Sequence, residues 1–355
     1  MRVVVLLGGV SEEREVSLAS GCQVADALRQ SGHDVVAVDP ADGTLNRRDE
    51  EEILATGVRL LPPGEITDEG VSVAPLTTRE EILDADVVFP ALHGGMGEDG
   101  TLQGLLDIGG ITYAGSGMLG CALSMDKDVT KRLLRDAGIP TPGWLVSPTA
   151  DNAIQQLGLP LIAKPVAGGS SVGLCLLRDY EGVEKVIAEE ESGVGEQLGQ
   201  LAARIETDSG VPAMMYEVFV AGREFTVGIM GSEALPVGEI ISAHELFDYE
   251  CKYQSGMADE VFPADISDGL ARTLQERALE VHRLLRLRDF SRVDFIVDEG
   301  GEAWCLEANA LPGMTGNSLL PKAAWAAGTS FPELCDCIVR MAADRISATD
   351  QSLLP

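Results

Sequence analysis

The sequence reads as an α/β protein of two or three domains, and three observations carry that reading. An apolar run at 2–7 leads into a Gly8-Gly9 turn. A helical pattern from Ser17 (Leu18, Cys22, Ala25, Leu28) then stops at Gly32, and a second strand follows over Val35–Val38. The chain has 355 residues, 45% of them hydrophobic, which is enough for more than one core. Close to its C-terminal end the stretch 290–319, FSRVDFIVDEGGEAWCLEANALPGMTGNSL, has the alternation and turn residues of a β-hairpin.

Composition narrows the function classes. The formal charge is −31. Such a surface disfavours nucleic acid and anionic membranes. Only six Lys (127, 131, 164, 185, 252, 322) stand beside twenty Arg. An anionic substrate therefore needs a locally positive pocket, and each Lys is a candidate to supply it. No apolar run reaches the ~18 residues of a membrane span. The opening MRVVVLLGGVSEER lacks a signal-peptide pattern, so the expected location is the cytoplasm. The seven Cys are scattered. Cys335 and Cys337 lie close together but have no second cluster to complete a zinc site, which favours buried thiols in a reducing compartment.

Taken in order, the first turn, GGVSEE, lacks the G-x-G-x-x-G of a dinucleotide site and carries acid instead, which disfavours a nicotinamide cofactor. Glu13 in this loop could hold an ammonium group; a charge favouring the helix N-terminus is the alternative. Residues 41–80 are polar and read as irregular loop with short strands. Asp86–Pro90 is a strand, and His93 stands at its end before Gly94-Gly95. Strand ends of open α/β sheets are where ligands bind, although a His satisfied by backbone fits too. Thr101–Ile108 is a helix, with a domain boundary soon after it. Asp126 caps the next helix, which stops at Gly138. Lys127 lies in its first turn, where a cation opposes the helix dipole unless a phosphate or solvent compensates.

Leu161–Pro165 is a strand, followed by VAGGSSVG (166–173) and another strand. This hairpin with a Gly/Ser tip is not a Walker A motif, yet such loops donate N–H and hydroxyl groups to phosphate; a generic flexible loop is the alternative. The acidic, glycine-divided 189–211 reads as a linker or surface insertion. Met214–Val220 and Glu224–Met230 read as two strands joined at Ala221-Gly222, carrying the acids Glu217 and Glu224. The polar stretch 242–262 has the length of a lid loop. Residues 267–287 form an amphipathic helix whose stripe (Leu270, Leu274, Ala278, Val281, Leu285) is core. A last helix from Phe331-Pro332 closes the C-terminal domain.

In the C-terminal hairpin, a two-residue turn at Gly300-Gly301 pairs Glu299 with Glu302. Counting outward places Asp294 opposite Glu307 and Arg292 opposite Asn309, with Cys305, Glu307 and Asn309 on one face. Two carboxylates and an amide oxygen suit Mg²⁺, which takes one or two carboxylates together with substrate phosphates. Solvated acids on an edge hairpin are the alternative. Arg292 and the Gly- and hydroxyl-rich PGMTGNS that follows favour phosphoryl chemistry.

Set side by side, the motifs LLGGVSEEREVSLASG, ALHGGMGEDGTLQGLLDIGGITYAGSG, ALSMDK, AKPVAGGSSVG, EFTV, FDYECKY, SRVDF and LEANALPGMTGNSLLP make the chain resemble the D-alanine–D-alanine ligases of the ATP-grasp superfamily over about 1–340. The resemblance implies an α/β and α+β ATP-grasp fold of three domains. These are an N-terminal parallel-sheet domain (1–118), a central unit with the Gly/Ser phosphate loop (119–213) and a C-terminal unit with the metal site and lid (214–345). It implies ATP-dependent joining of two D-alanines through a D-alanyl phosphate, in the cytoplasm, by a protein that commonly dimerises through its N-terminal domain.

The resemblance also implies residue roles. Asp294, Glu307 and Asn309 bind two Mg²⁺, with Mn²⁺ able to substitute. Arg292 and the Gly313 N–H stabilise the transferring phosphoryl group and the oxyanion. Lys127, Lys164, Lys252, Ser170 and Ser171 hold phosphates. Glu217 to Val220, Val218 included, line the adenine slot, and Glu224 takes the ribose. Glu13 binds the first D-Ala ammonium with His93 nearby, and Ser318 and Leu319 anchor the second carboxylate. Ser170, Tyr253 and Glu13 latch the lid, and Lys252-Tyr253 favours the dipeptide over D-Ala-D-lactate. Departures are Val218 where many relatives carry a charge, Ala310 where Thr commonly follows the Asn ligand, and a longer 189–211.

Overall fold

The computed structural model describes residues 1–11, 13–56, 74–169, 173–192, 214–243 and 257–352. Its first sheet has the order β3-β2-β1-β4, built from β1 (Arg2–Leu6), β2 (Asp34–Asp39), β3 (Gly43–Leu45) and β4 (Val87–Pro90). β1 pairs parallel with β2 and β4, and β3 runs antiparallel at the edge. A strand covered on both faces must be apolar throughout. Accordingly Val3 and Val5 pack with Leu28 of α1 (Arg14–Gln30), while Val4 and Leu6 pack with Leu102.

The structure departs from the sequence reading over 41–80. Arg47–Thr56 is a helix, α2, followed by the short α3 (Glu80–Leu83); residues 57–73 lie outside the described residues. The Asn46 amide oxygen accepts from the N–H groups of Arg48 (2.9 Å) and Asp49 (3.2 Å) at the start of α2. Glu50, 3% exposed, pairs with both terminal nitrogens of Arg29 at 2.6 and 2.9 Å. Docking by an ion pair instead of an apolar stripe leaves no hydrophobic period to read.

Helices α4 (Thr101–Ile108), α5 (Met118–Met125) and α6 (Lys127–Asp136) lead to a second, antiparallel sheet of order β5-β8-β6-β7. Its strands are β5 (Trp144–Val146), β6 (Leu161–Pro165), β7 (Cys175–Leu177) and β8 (Met214–Val218), covered by α7 (Ala150–Leu157) and α8 (Tyr180–Ser192). The third sheet runs β12-β11-β9-β13-β14, with β10 beside β9. It comprises β9 (Gly222–Met230), β10 (Glu233–Ala234), β11 (Gly238–Ser242), β12 (Ala258–Val261), β13 (Phe290–Asp298) and β14 (Ala303–Asn309). The amphipathic helix α9 (Asp268–Leu284) lays Leu274, Ala278 and Val281 against Phe225, Val227 and Val293.

Two placements differ from the sequence reading. β8 and β9 are neighbours in sequence but sit in different sheets, so Ala221 is a link between sheets and not a hairpin turn. After α10 (Leu319–Ala326), the last helix, α11 (Phe331–Ser352), returns to the first sheet: Leu334, Cys335, Ile338 and Val339 share one core with Val3 and Leu28. Its stripe needed an apolar surface, and α1 supplies it. No helix of the described residues is long and apolar enough to cross a membrane.

His282 of α9 is buried with its Nδ1 2.7 Å from the Ser291 hydroxyl of β13. Burial, with Arg283 nearby, pushes its pKa from 6.5 down to about 4. A depressed histidine pKa means that the unfolded chain binds the proton first. Stability is then complete above pH 6.5 and falls as the pH drops towards 4, each unit of the gap being worth ~1.4 kcal/mol. Urea unfolding at pH 7.5, 6 and 5 should show this fall, and His282→Gln should flatten it.

Candidate active site

The open end of the C-terminal hairpin carries the acids. Arg292 lies opposite Asn309 and Asp294 opposite Glu307, as the spacing predicts. The route to that register differs. Asp298 N–H donates to the Glu302 carbonyl (3.0 Å) and Gly301 N–H to the Asp298 carbonyl (2.9 Å), so the turn holds three residues, not two. Phe295 then faces Cys305 while Asp294 faces Glu307, which leaves Leu306 as an unpaired bulge residue. The bulge cancels the extra turn residue. It also moves Cys305 off the acid face. Cys305 is fully buried in the core with Phe295 and Ala303, whereas Glu307 and Asn309 project from the opposite side.

Asp294 is held from three directions. Arg292 grips it with Nε at 2.9 Å and Nη2 at 2.8 Å, Asn309 Nδ2 donates at 3.1 Å, and the Thr226 hydroxyl of β9 donates at 2.7 Å. Thr226 is the register partner of Asp294. No single-strand pattern points to it, because the pairing of β9 with β13 is a long-range fact. Glu224, half-buried, lies two residues along β9 on the same face. Among the described residues no group of three or more His, Cys, Asp or Glu could hold a metal. A cation here has two carboxylates and one amide oxygen and needs phosphate oxygens to complete its shell, a donor set that Mg²⁺ accepts.

The second sheet contributes positive charge. Lys164 on β6 donates to Glu217 of β8 at 2.9 Å, and Lys131 of α6 pairs with the other oxygen of the same carboxylate. The sequence reading named Lys131 only as one of six candidate lysines and gave it no particular role; it stands one turn after Lys127, and only the fold carries it to Glu217. All three side chains are largely buried. Burial pushes the Glu217 carboxyl up, but the charges of Lys131 and Lys164 outweigh it and hold the group below the usual range. Lys127 Nζ donates to the Gly168 carbonyl of the Gly-rich hairpin at 2.7 Å, and its own N–H meets the Val166 carbonyl. The Val218 N–H donates to Gly143 and the Phe219 N–H to Pro160, so the segment through Val220 is tied down as it leaves the second sheet.

The first sheet supplies the third wall. Glu13 opens α1, and its carboxylate lies against both Gly94 and Gly169: a Cβ on either glycine would stand 2.9 Å from Glu13 Oε2. The loop after β4 and the Gly-rich hairpin tip thus meet at one acid. His93 is 4% exposed, with Nδ1 3.1 Å from Glu98 and Nε2 3.2 Å from the Ser20 hydroxyl. Burial opposes the imidazolium, but the hydrogen bond and charge of Glu98, with Glu13 behind it, raise its pKa. On the far side, the Ser318 hydroxyl is bonded to Thr315 within the turn that starts α10, close to Gly313. Leu319 is the first residue of that helix and is buried. The Gly316 N–H donates to Gln23 of α1 at 2.7 Å, tying this turn to the first sheet's helix. Ser170, Ser171, Lys252 and Tyr253 lie outside the described residues.

A parallel-containing sheet followed by two antiparallel sheets, one bearing lysines and a Gly-rich hairpin and the other an acid-bearing hairpin, defines an ATP-grasp ligase. Family models described as D-ala D-ala ligase N-terminus and C-terminus match residues 2–116 and 133–340. A D-alanine–D-alanine ligase of Aquifex aeolicus is 39% identical over 341 residues, covering 96% of this chain and 100% of that one. One of Desulforudis audaxviator is 38% identical over 352 residues, covering 97% and 99%. The crystal structure of the Bacillus anthracis D-alanine–D-alanine ligase complexed with ATP superposes with a TM-score of 0.73 at 29% identity, covering 99% of each chain. The chain belongs to the D-alanine–D-alanine ligase family.

Gly94 has φ +73° and no room for a Cβ beside Glu13. Gly94→Ala should displace that carboxylate and cost ~1–3 kcal/mol of stability. The expected result is a lowered melting temperature together with a raised KM for the first amino acid, read by phosphate release at saturating ATP.

Proposed function

We infer that this chain joins two D-alanines to D-alanyl-D-alanine at the expense of ATP, supplying a peptidoglycan precursor. The observation that carries the reading is the register that sets Asp294 opposite Glu307 and Arg292 opposite Asn309, with Arg292 holding Asp294; Lys127 and Glu13 meet at the Gly-rich hairpin. A carboxylate is a poor acyl donor, so one D-alanine must first receive the γ-phosphoryl group. The D-alanyl phosphate then loses phosphate when the amine of the second D-alanine attacks its carbonyl.

The proposed roles rest on the family resemblance and, for the described residues, are consistent with the contacts above. Glu13 takes the ammonium of the first D-alanine, with the His93–Glu98 pair behind it. Lys127 and Lys164 receive phosphates, helped by Ser170, Ser171 and Lys252. Glu217 and the link through Val218 and Val220 border the base, and Glu224 takes ribose hydroxyls. Arg292 is oriented by Asp294 and, with the Gly313 N–H, meets the charge that develops on the transferring group and on the tetrahedral oxygen. Ser318 and Leu319 start α10, where a helix N-terminus suits the second carboxylate. Tyr253 completes the lid with Ser170 and Glu13, keeping water from the acyl phosphate. Asp294, Glu307 and Asn309 would hold Mg²⁺, two ions with Mn²⁺ able to substitute; bound there, the metal neutralises phosphate charge.

We also propose three functional units: 1–118, 119 to the link after β8, and the third sheet with its helices, α11 returning to the first. A cytoplasmic homodimer that binds neither nucleic acid nor membrane fits the charge of −31.

Glu307→Gln should abolish turnover, falling at least ~10³-fold in kcat, while the protein keeps its melting temperature. Activity that survives this change sinks the metal assignment. Thr226→Val removes one donor to Asp294 and should raise the Mg²⁺ needed for half-maximal rate ~10-fold. With D-lactate in place of the second D-alanine, phosphate release should stay at background; a matching rate would make the chain a depsipeptide ligase.

A further inference from the structure

Glu217 receives two ammonium groups although one would neutralise it. Lys164 reaches Oε1 at 2.9 Å from β6, and Lys131 reaches Oε2 from α6. Lys131 is fully buried, and its Nζ also donates to the Thr141 hydroxyl at 2.6 Å and lies 5.2 Å from the centroid of the Trp144 ring. Every partner of Lys131 is thus a protein group fixed in the second sheet or its approach. Lys164, by contrast, stands at the foot of the Gly-rich hairpin and is slightly exposed. Counted with both lysines protonated, the group carries one positive charge in excess; burial pushes the Lys131 pKa down and the charge of Glu217 opposes it.

We propose that Lys131 is a positioning residue for the nucleotide: it is the standing counter-ion of Glu217 and leaves Lys164 available to a phosphate. The inference rests on the reading that Lys164 binds ATP. A buried carboxylate that lost its single partner would be uncompensated, and that penalty would be charged against nucleotide binding. With Lys131 in place, Lys164 can share itself between Glu217 and an incoming phosphate while the carboxylate remains paired. Lys131 itself touches no substrate. One turn of α6 links it to Lys127, so a single helix sets both ammonium groups, one on the carbonyl of the phosphate loop and one on Glu217.

The test is a charge-coupled double-mutant cycle in the full-length enzyme, with kcat, the KM for ATP, the KM for D-alanine and the melting temperature read for each variant. K131M should raise the KM for ATP by about tenfold and leave the KM for D-alanine within about twofold, and K131R should recover most of the loss. In the E217Q background the lone buried charge is gone, and K131M should then change the KM for ATP by less than about twofold. If K131M fails to fold, E217Q/K131M should fold again for the same reason. An equal effect of K131M in both backgrounds, or failure to fold in both, overturns the proposal. K164M serves as the reference: an unchanged KM for ATP there overturns the reading of Lys164 and this inference with it. A raised KM for K164M with no coupling between Lys131 and Glu217 overturns the inference alone.

Discussion

One unpaired residue, Leu306, governs where the acids of this protein point. Strand side chains alternate, so a slip of one position at this point would send Glu307 and Asn309 into the core, on the side where Cys305 packs. The three-residue turn at Glu299–Gly301 imposes such a slip, and the bulge reverses it before Glu307 is reached. Beyond the bulge, Asp294 is fixed by its own strand, by β14 and by β9 at once. Arg292 gives it two donors, and Asn309 and Thr226 one each. A carboxylate held by four hydrogen-bonding atoms cannot wander, which is what a phosphoryl-transfer site requires of its ligands.

Around this fixed point the chain places its few lysines against the sense of its overall charge. At −31, anionic nucleotides meet repulsion at long range, softened by salt. At short range the proposed phosphate ligands Lys127 and Lys164 offset it, Lys164 from a largely buried position where Coulombic interactions are screened far less. The same low dielectric makes Glu217 hazardous on its own, and two ammonium groups answer that hazard. Glu13 lies against Gly169 of the Gly-rich hairpin and Gly94 of the loop after β4, so the first and second sheets meet at one acid.

Much of this was legible beforehand, for local reasons. The helix over Thr101–Ile108, the Asp126 cap, the β6–β7 hairpin and the α9 stripe are each written in a few adjacent residues. Apart from the hairpin turn, which holds three residues and not two, the misreadings were non-local. α2 has no apolar stripe, because Glu50 reaches Arg29 on another helix. β8 looked like the partner of β9, yet β5 and β6 claim it. The last helix was read from Phe331, but nothing in it says that its surface lies on α1 at the opposite end of the sequence.

By itself the sequence determined the chemistry that was possible. It set two acids, an amide and an arginine at hairpin spacing, lysines rare enough to be noticed, and a Gly/Ser-rich stretch of the kind that offers backbone N–H groups to phosphate. Residue type and period are properties of neighbours along the chain, so they survive without a fold. The tertiary structure decided which of these groups meet: Thr226 with Asp294, Lys131 with Glu217, Glu13 with Gly169. Those encounters depend on register between strands far apart in sequence and on the cost of burying charge. Both quantities exist only once the chain has closed on itself.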